Sequence, residues 1–166
     1  MTPKEFVKKY KPFALETERK TGISALFILA QSALETGWGN SAPGNMMFGV
    51  KASISTPTEK RQLVQTTEIL ATDKAKFPVI ISIEKRPDGK FKYTVKDWFR
   101  KYDSPEASFT DHANLFVNNK RYAKALLVRS DPYKFAEEVA NAGYATEPTY
   151  AERLKGVIRT IEKNDK

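Results

Sequence analysis

The segment from Ser24 to Glu35 constrains this chain most. Read as a helix, it places Ala25, Leu26, Phe27, Ile28, Leu29, Ala30, Ala33 and Leu34 around most of its axis. A helix that is apolar nearly all round is a buried one, so other elements must enclose it. The stretch is interrupted by Ser24, Gln31 and Ser32, and it is far shorter than the ~20 residues that cross a bilayer. It also follows Glu5, Glu16 and Glu18, too late and too acidic a start for a signal peptide. The reading is a central helix in a water-soluble body, with no membrane span and no visible export signal.

The flanking sequence supplies the enclosure. Thr2-Pro3-Lys4-Glu5 has the form of a helix start, with Thr2 as cap, Pro3 in the first turn and Glu5 completing a capping box. Phe6, Val7, Tyr10, Phe13 and Ala14 follow at helical spacing, Pro12 is expected to kink or split the helix, and Thr21-Gly22 ends it. Residues 37–49 hold four glycines and Pro43 without periodicity, and read as loop. Three strands are expected at Leu63–Leu70, Val79–Glu84 and Phe91–Val95, the last two joined by the turn sequence Arg86–Lys90. Helical patterns resume after Ser104-Pro105, at Arg121–Val128, after Asp131-Pro132 and near Pro148. Helices, a small antiparallel sheet, then helices again describe an α+β fold with one β insertion. The 166 residues fit a single domain, with a helical lobe at about 1–51 and 99–166 and a β-lobe at about 52–98.

Composition then removes whole classes of chemistry. With no cysteine there is no disulfide, iron–sulfur cluster or thiolate nucleophile, and with His112 as the one histidine there is no multi-histidine metal site. No G-x-S-x-G elbow is present. Carboxylates, tyrosines, amides and lysines are what is left, and neither a metal nor an organic cofactor is expected. Twenty-eight Lys and Arg against twenty Asp and Glu give a net charge of +8. That surplus suits acidic partners or simply a soluble surface, and it is not organised into the aromatic-plus-basic stripe of single-strand nucleic-acid binders.

Glu35 stands out. It occupies the last turn of the most apolar helix, one turn after Gln31, the other sizeable polar residue there. Burial disfavours a charged carboxylate, and the negative end of the helix dipole adds ~0.3–1 kcal/mol in the same direction at an exposed site. Both effects favour a carboxyl that keeps its proton near neutral pH, which a general acid for glycoside cleavage requires. The alternative is an ordinary surface glutamate at a fraying end. Beyond it, Gly37-Trp38-Gly39 sets an indole between two glycines, as a platform for a sugar face would need. The formal dinucleotide match Gly37-x-Gly39-x-x-Ala42 follows a helix rather than a strand and is rejected.

These residues carry a resemblance. Ala30-Gln31-x-Ala33-Leu34-Glu35-Thr36-Gly37-Trp38-Gly39, then Asn45-Met46-Met47-Phe48-Gly49-Val50-Lys51, resemble the glucosaminidase domain of bacterial cell-wall hydrolases, glycoside hydrolase family 73, in its flagellar-rod branch. Thr67-Glu68, Phe99-Arg100-x-Tyr102-x-Ser104, His112, Arg121-Tyr122 and Ala142-Gly143-Tyr144-Ala145-Thr146-Glu147-Pro148-x-Tyr150 continue the similarity in family order, from about Phe6 to Ile161. It implies a lysozyme-like fold of two lobes flanking a cleft, and cleavage of peptidoglycan after N-acetylglucosamine. Glu35 would be the general acid, Glu68 the second carboxylate and Tyr144 a cleft residue near the reacting sugar. Trp38, Asn45 and Phe48 would bind substrate.

Each assignment has a structural alternative. Alternation puts Glu68 on one strand face with Val64, Thr66 and Leu70, and neither face is cleanly apolar, so Glu68 is either a water-activating base or a solvated strand residue. A carboxylate separation of ~6.5–9.5 Å would suit inversion and ~5–5.5 Å a covalent intermediate; assistance by the substrate's acetamido oxygen is the third route. Tyr144 is either in the cleft or packed with its hydroxyl on backbone. Asn45 either bonds an acetamido group or holds its turn. His112 reads as a structural histidine, Trp98 and Phe99 as core, Arg100 and Arg121 as surface ion pairs, and Met46-Met47 as gap-filling. Glu147 stands where the family usually has Asp, and 52–62 lacks the glycines relatives often carry there.

The expected activity is an endo-β-N-acetylglucosaminidase acting on the cell wall. Its partners would be peptidoglycan strands and anionic wall polymers, without nucleic acid, and the chain would act as a monomer. A muramidase or lytic transglycosylase is the nearest rival, and a non-catalytic wall-binding module the rival from another class.

Overall fold

A computed structural model describes residues 1–166. The chain divides into two compact units, Met1–Phe48 with Asp103–Lys166, and Gly49–Tyr102. No helix is long and apolar enough to cross a membrane.

The first unit is helical. α1 (Pro3–Thr21) starts at Thr2 with both halves of the capping box made, and Gly22 ends it at φ 77°. Pro12 does not split it, contrary to the sequence expectation: the helix runs unbroken for 19 residues. The proline sits on the exposed side with Lys8, where the carbonyl freed by its missing N–H faces water rather than protein. α2 (Ala25–Thr36) is enclosed as its composition requires, with Phe27, Ile28, Leu29, Ala30, Gln31, Ser32 and Ala33 all buried. It packs on α1, α5 (Pro132–Asn141) and α6 (Tyr150–Asn164). Phe27 meets Phe135 and Phe116 edge-on at 4.6 and 5.9 Å, a geometry that aromatic quadrupoles favour. α3 (Pro105–Asn118) is capped by the Ser104 hydroxyl. A short 3-10 turn at Lys120–Tyr122 and α4 (Ala123–Leu126) replace the single helix expected at 121–128.

The second unit is a three-stranded antiparallel sheet: β1 (Arg61–Leu70), β2 (Val79–Lys85) and β3 (Phe91–Arg100), in the order β1-β3-β2. The Arg86–Lys90 turn closes the hairpin, with Gly89 at φ 82°. One face is covered and the other open. Tyr93 and Val95 are fully buried, and the Tyr93 hydroxyl ties down the 71–78 loop by donating to Thr72 O at 2.6 Å and accepting from Ala75 N at 3.2 Å. Lys92 and Lys96 of the same strand are exposed. β3 extends five residues past its expected end, through Trp98 and Phe99 to Arg100, because β1 pairs with it along its whole length, from Arg61 opposite Arg100 to Leu70 opposite Phe91.

Candidate active site

Within the helical unit, the C-terminal turn of α2 and the N-terminal turn of α6 flank a cavity of about 330 Å³. Gln31, Leu34 and Glu35 reach it from one face of α2, at i, i+3 and i+4. Tyr150 and Arg153 reach it from α6, and Phe48 and the Tyr144–Glu147 segment complete the wall. Three residues singled out from sequence, Glu35, Tyr144 and Phe48, therefore meet in one place.

Behind the cavity lies a polar chain through the apolar core. The Gln31 amide is buried, and its Nε2 donates to the Tyr150 hydroxyl at 2.8 Å. Its Oε1 then faces His112 Nε2 at 3.1 Å, and Tyr144 Oη lies 3.2 Å from the same nitrogen. With the amide turned this way, the imidazole carries its proton on Nε2 and shares it between the two oxygens. Phe48 stacks flat on the ring at 3.8 Å. Burial pushes the His112 pKa down to about 4, against the opposing charge of Asp111, so the ring is neutral at physiological pH. The structural reading of His112 is thus incomplete: it is a core histidine, and it also holds two residues of the cavity wall.

The tyrosines keep their protons. Burial raises both phenols, with the negative charge of Glu35 contributing in each case. Tyr150 is pushed up to about 12, and Tyr144 also moves upward, the neighbouring Tyr150 adding to its shift. Glu147 goes the other way: the Thr149 hydroxyl at 2.9 Å and Arg153 Nη1 at 2.6 Å hold it below the usual carboxylate range.

One expectation for Glu35 is corrected. It lines the cavity, but it is exposed, not buried. The last turn of α2 keeps Ala33 and Thr36 buried, and Glu35 leaves it on the side that opens to the cavity. Desolvation of this carboxyl must come from whatever fills the cavity.

Two proposed sugar contacts are not among the lining residues. Gly37, Trp38 and Gly39 are three consecutive left-handed residues, at φ 58°, 58° and 82°. Trp38 turns toward α1, where it meets Phe6 edge-on at 5.6 Å. A side chain at Gly39 would lie 3.2–3.3 Å from Tyr10, Met1 and Phe6, so that glycine admits α1 rather than a ligand. Asn45 ends a 3-10 turn, Pro43–Asn45, at φ 57°, a conformation that Asn tolerates better than most residues.

Glu68 belongs to the sheet unit. It is half-buried on the face that also carries Val64, Thr66 and Leu70, opposite Tyr93 in the ladder. Lys51 Nζ donates to it at 2.8 Å and to Asp97 at 3.1 Å, contacts that raise the Lys51 pKa, the Glu68 bond foremost. Sequence reasoning missed Gln31, Tyr150, Glu147 and Arg153 as parts of the cavity. The signal available was the i, i+3 spacing of Tyr150 and Arg153 directly after the Pro148 loop.

The glucosaminidase family, described as mannosyl-glycoprotein endo-beta-N-acetylglucosaminidase, matches residues 11–163. The chain belongs to this family. Its α+β fold is lysozyme-like, and it superposes on the glycoside hydrolase domain of Salmonella typhimurium FlgJ, C-terminally truncated, with a TM-score of 0.72 at 30% identity, covering 98% of this chain and 99% of that one. The peptidoglycan hydrolase FlgJ of Vibrio parahaemolyticus is 33% identical over 97% of this chain and 48% of its own length. The exo-glucosaminidase LytG of Bacillus subtilis is 31% identical over 82% of this chain and 44% of its own. The chain spans half or less of these curated relatives.

Proposed function

We propose that this chain is a peptidoglycan hydrolase, an endo-β-N-acetylglucosaminidase that cleaves the glycan strand after N-acetylglucosamine, with Glu35 as general acid. The observation that carries it is the inventory of protons in the cavity. The Arg153 guanidinium is a hydrogen-bond donor and not an acid catalyst. Tyr144 and Tyr150 hold theirs too tightly, and Glu147 is kept as an anion by Thr149 and Arg153. Glu35 is the remaining carboxyl of the wall, at the end of α2 beside both tyrosines.

Its proton passes to the glycosidic oxygen as the C1–O bond breaks. A sugar seated against Phe48 expels water around the exposed carboxyl, and that desolvation favours the protonated acid at the moment it is needed. Tyr144 accepts from His112, so its own O–H is available to the acetamido side of the reacting sugar. The acetamido oxygen attacks C1 as the bond breaks, and water then opens the ring so formed, giving its proton to the carboxylate left on Glu35. The net charge of +8 suits a wall that carries anionic polymers. The names of the relatives, peptidoglycan hydrolase and exo-glucosaminidase, support the substrate class.

Digestion of purified wall, followed by reduction and mass spectrometry, tests the assignment. New N-acetylglucosamine reducing ends are expected, with strands shortened internally. Terminal units released one at a time would make it an exo-enzyme. New muramic or anhydro-muramic ends would reassign it as a muramidase or lytic transglycosylase, and binding without release would leave a wall-binding module.

A further inference from the structure

We propose that Arg153 anchors a carboxylate carried by the glycan, so that the cavity selects strands with an acidic substituent over neutral N-acetylglucosamine oligomers. The inference rests on the glycan-strand reading above and names its specificity residue. Arg153 lies one turn after Tyr150 on α6, in the cavity wall, with its side chain about half exposed at 52%. A guanidinium presents five N–H donors in a rigid fork. Glu147 takes one, through Nη1 at 2.6 Å. The Nε–Nη2 edge keeps the parallel pair of donors that matches a carboxylate.

The geometry orients this fork. Glu147 is itself fixed by Thr149, so the ion pair is held at both ends. The charges of Arg153 and Glu35 both reach the Tyr150 hydroxyl, which brings the cation within electrostatic reach of the proposed acid. Peptidoglycan offers the matching group: each muramic residue bears a lactyl carboxylate, or a peptide on that lactyl group with carboxylates of its own. Oligomers of N-acetylglucosamine carry neither. The competing role for Arg153 is a latch that pins the Ala145–Thr149 turn through Glu147.

Calorimetric titration in the Glu35→Gln protein, which holds strands without cutting them, separates the roles. Three ligands of equal length are compared: glycan stripped of peptide, glycan bearing peptide, and neutral N-acetylglucosamine oligomer. Arg153→Gln is expected to cut the preference for acidic over neutral ligand by about tenfold, with Arg153→Lys recovering part of it. Glu147→Gln breaks the latch but frees the fork, and is expected to keep or raise the preference. Loss seen with stripped glycan identifies the lactyl carboxylate; loss confined to the peptide-bearing strand identifies the peptide. Equal weakening of all three ligands, or matching effects of Arg153→Gln and Glu147→Gln, overturns the proposal. A protein that binds acidic strands through Arg153 yet opens none of them in the unsubstituted form keeps this inference and ends the catalytic reading.

Discussion

The end of α2 and the middle of β1 each offer a carboxylate, and the two are built in different ways. Around Glu35 the wall is set from behind: Gln31, His112, Tyr144 and Tyr150 bond one another inside an aromatic core, so each ring has one position. Around Glu68 the holding group is Lys51, a half-exposed ammonium shared with Asp97. A buried network fixes geometry because breaking it strands unsatisfied polar groups. A partly solvated ion pair fixes little, since water can replace either partner. The helical unit thus presents a prepared surface, and the sheet unit an adjustable charge.

The sharpest way to break that contrast is at the two carboxylates. Glu35→Gln should keep its melting temperature and lose ~10²–10⁴-fold in wall cleavage, whereas Glu68→Gln should lose markedly less. Equal losses in a turbidity assay would make the two units equal partners.

A second comparison concerns protons. His112 titrates near 4 in the folded protein against an ordinary value of 6.5, so between those limits the unfolded chain binds the proton more readily. Stability must therefore fall as pH drops from about 6.5 toward 4, by about 3 kcal/mol in all, and then level off. Thermal melts across this range should show the slope, and His112→Gln should flatten it. A slope that survives the substitution would place its origin elsewhere.

Next in size, Gln31→Ala leaves Tyr150 and His112 without their shared amide and should cost about 1–3 kcal/mol in chemical denaturation. Lys51→Ala, at a side chain 52% exposed, should change stability by no more than ~1 kcal/mol. Were the order reversed, the sheet unit would be the rigid one.

What could be read beforehand follows the same division. The capping box of α1, the enclosed α2 and the Arg86–Lys90 hairpin rest on signals a few residues long, and each was legible. The network was not: Gln31 meets His112 and Tyr150 across 81 and 119 residues of chain, and no periodicity links them. Trp38 looked like a sugar platform because a glycine on each side suggests access, yet those glycines serve a left-handed turn packed on α1. Which face of β1 is the sheltered one was undecidable from alternation, since the buried residues that mark it, Tyr93 and Val95, belong to β3. Glu35 was singled out because its helix is buried, yet within a turn that buries Ala33 and Thr36 its own side chain is exposed.

The sheet unit begins and ends as a closed collar. Arg100 N donates to Val50 O at 2.8 Å, Ala52 N donates to Trp98 O at 3.0 Å, and Lys51 bridges to Phe99, so the polypeptide departs and returns through neighbouring, mutually bonded strands. An excursion fastened at its neck can be lengthened, shortened or traded for another without rethreading the helices on either side. Diversification of such a scaffold has a natural splice point there, where a lineage can remodel the sheet while inheriting the helical core intact.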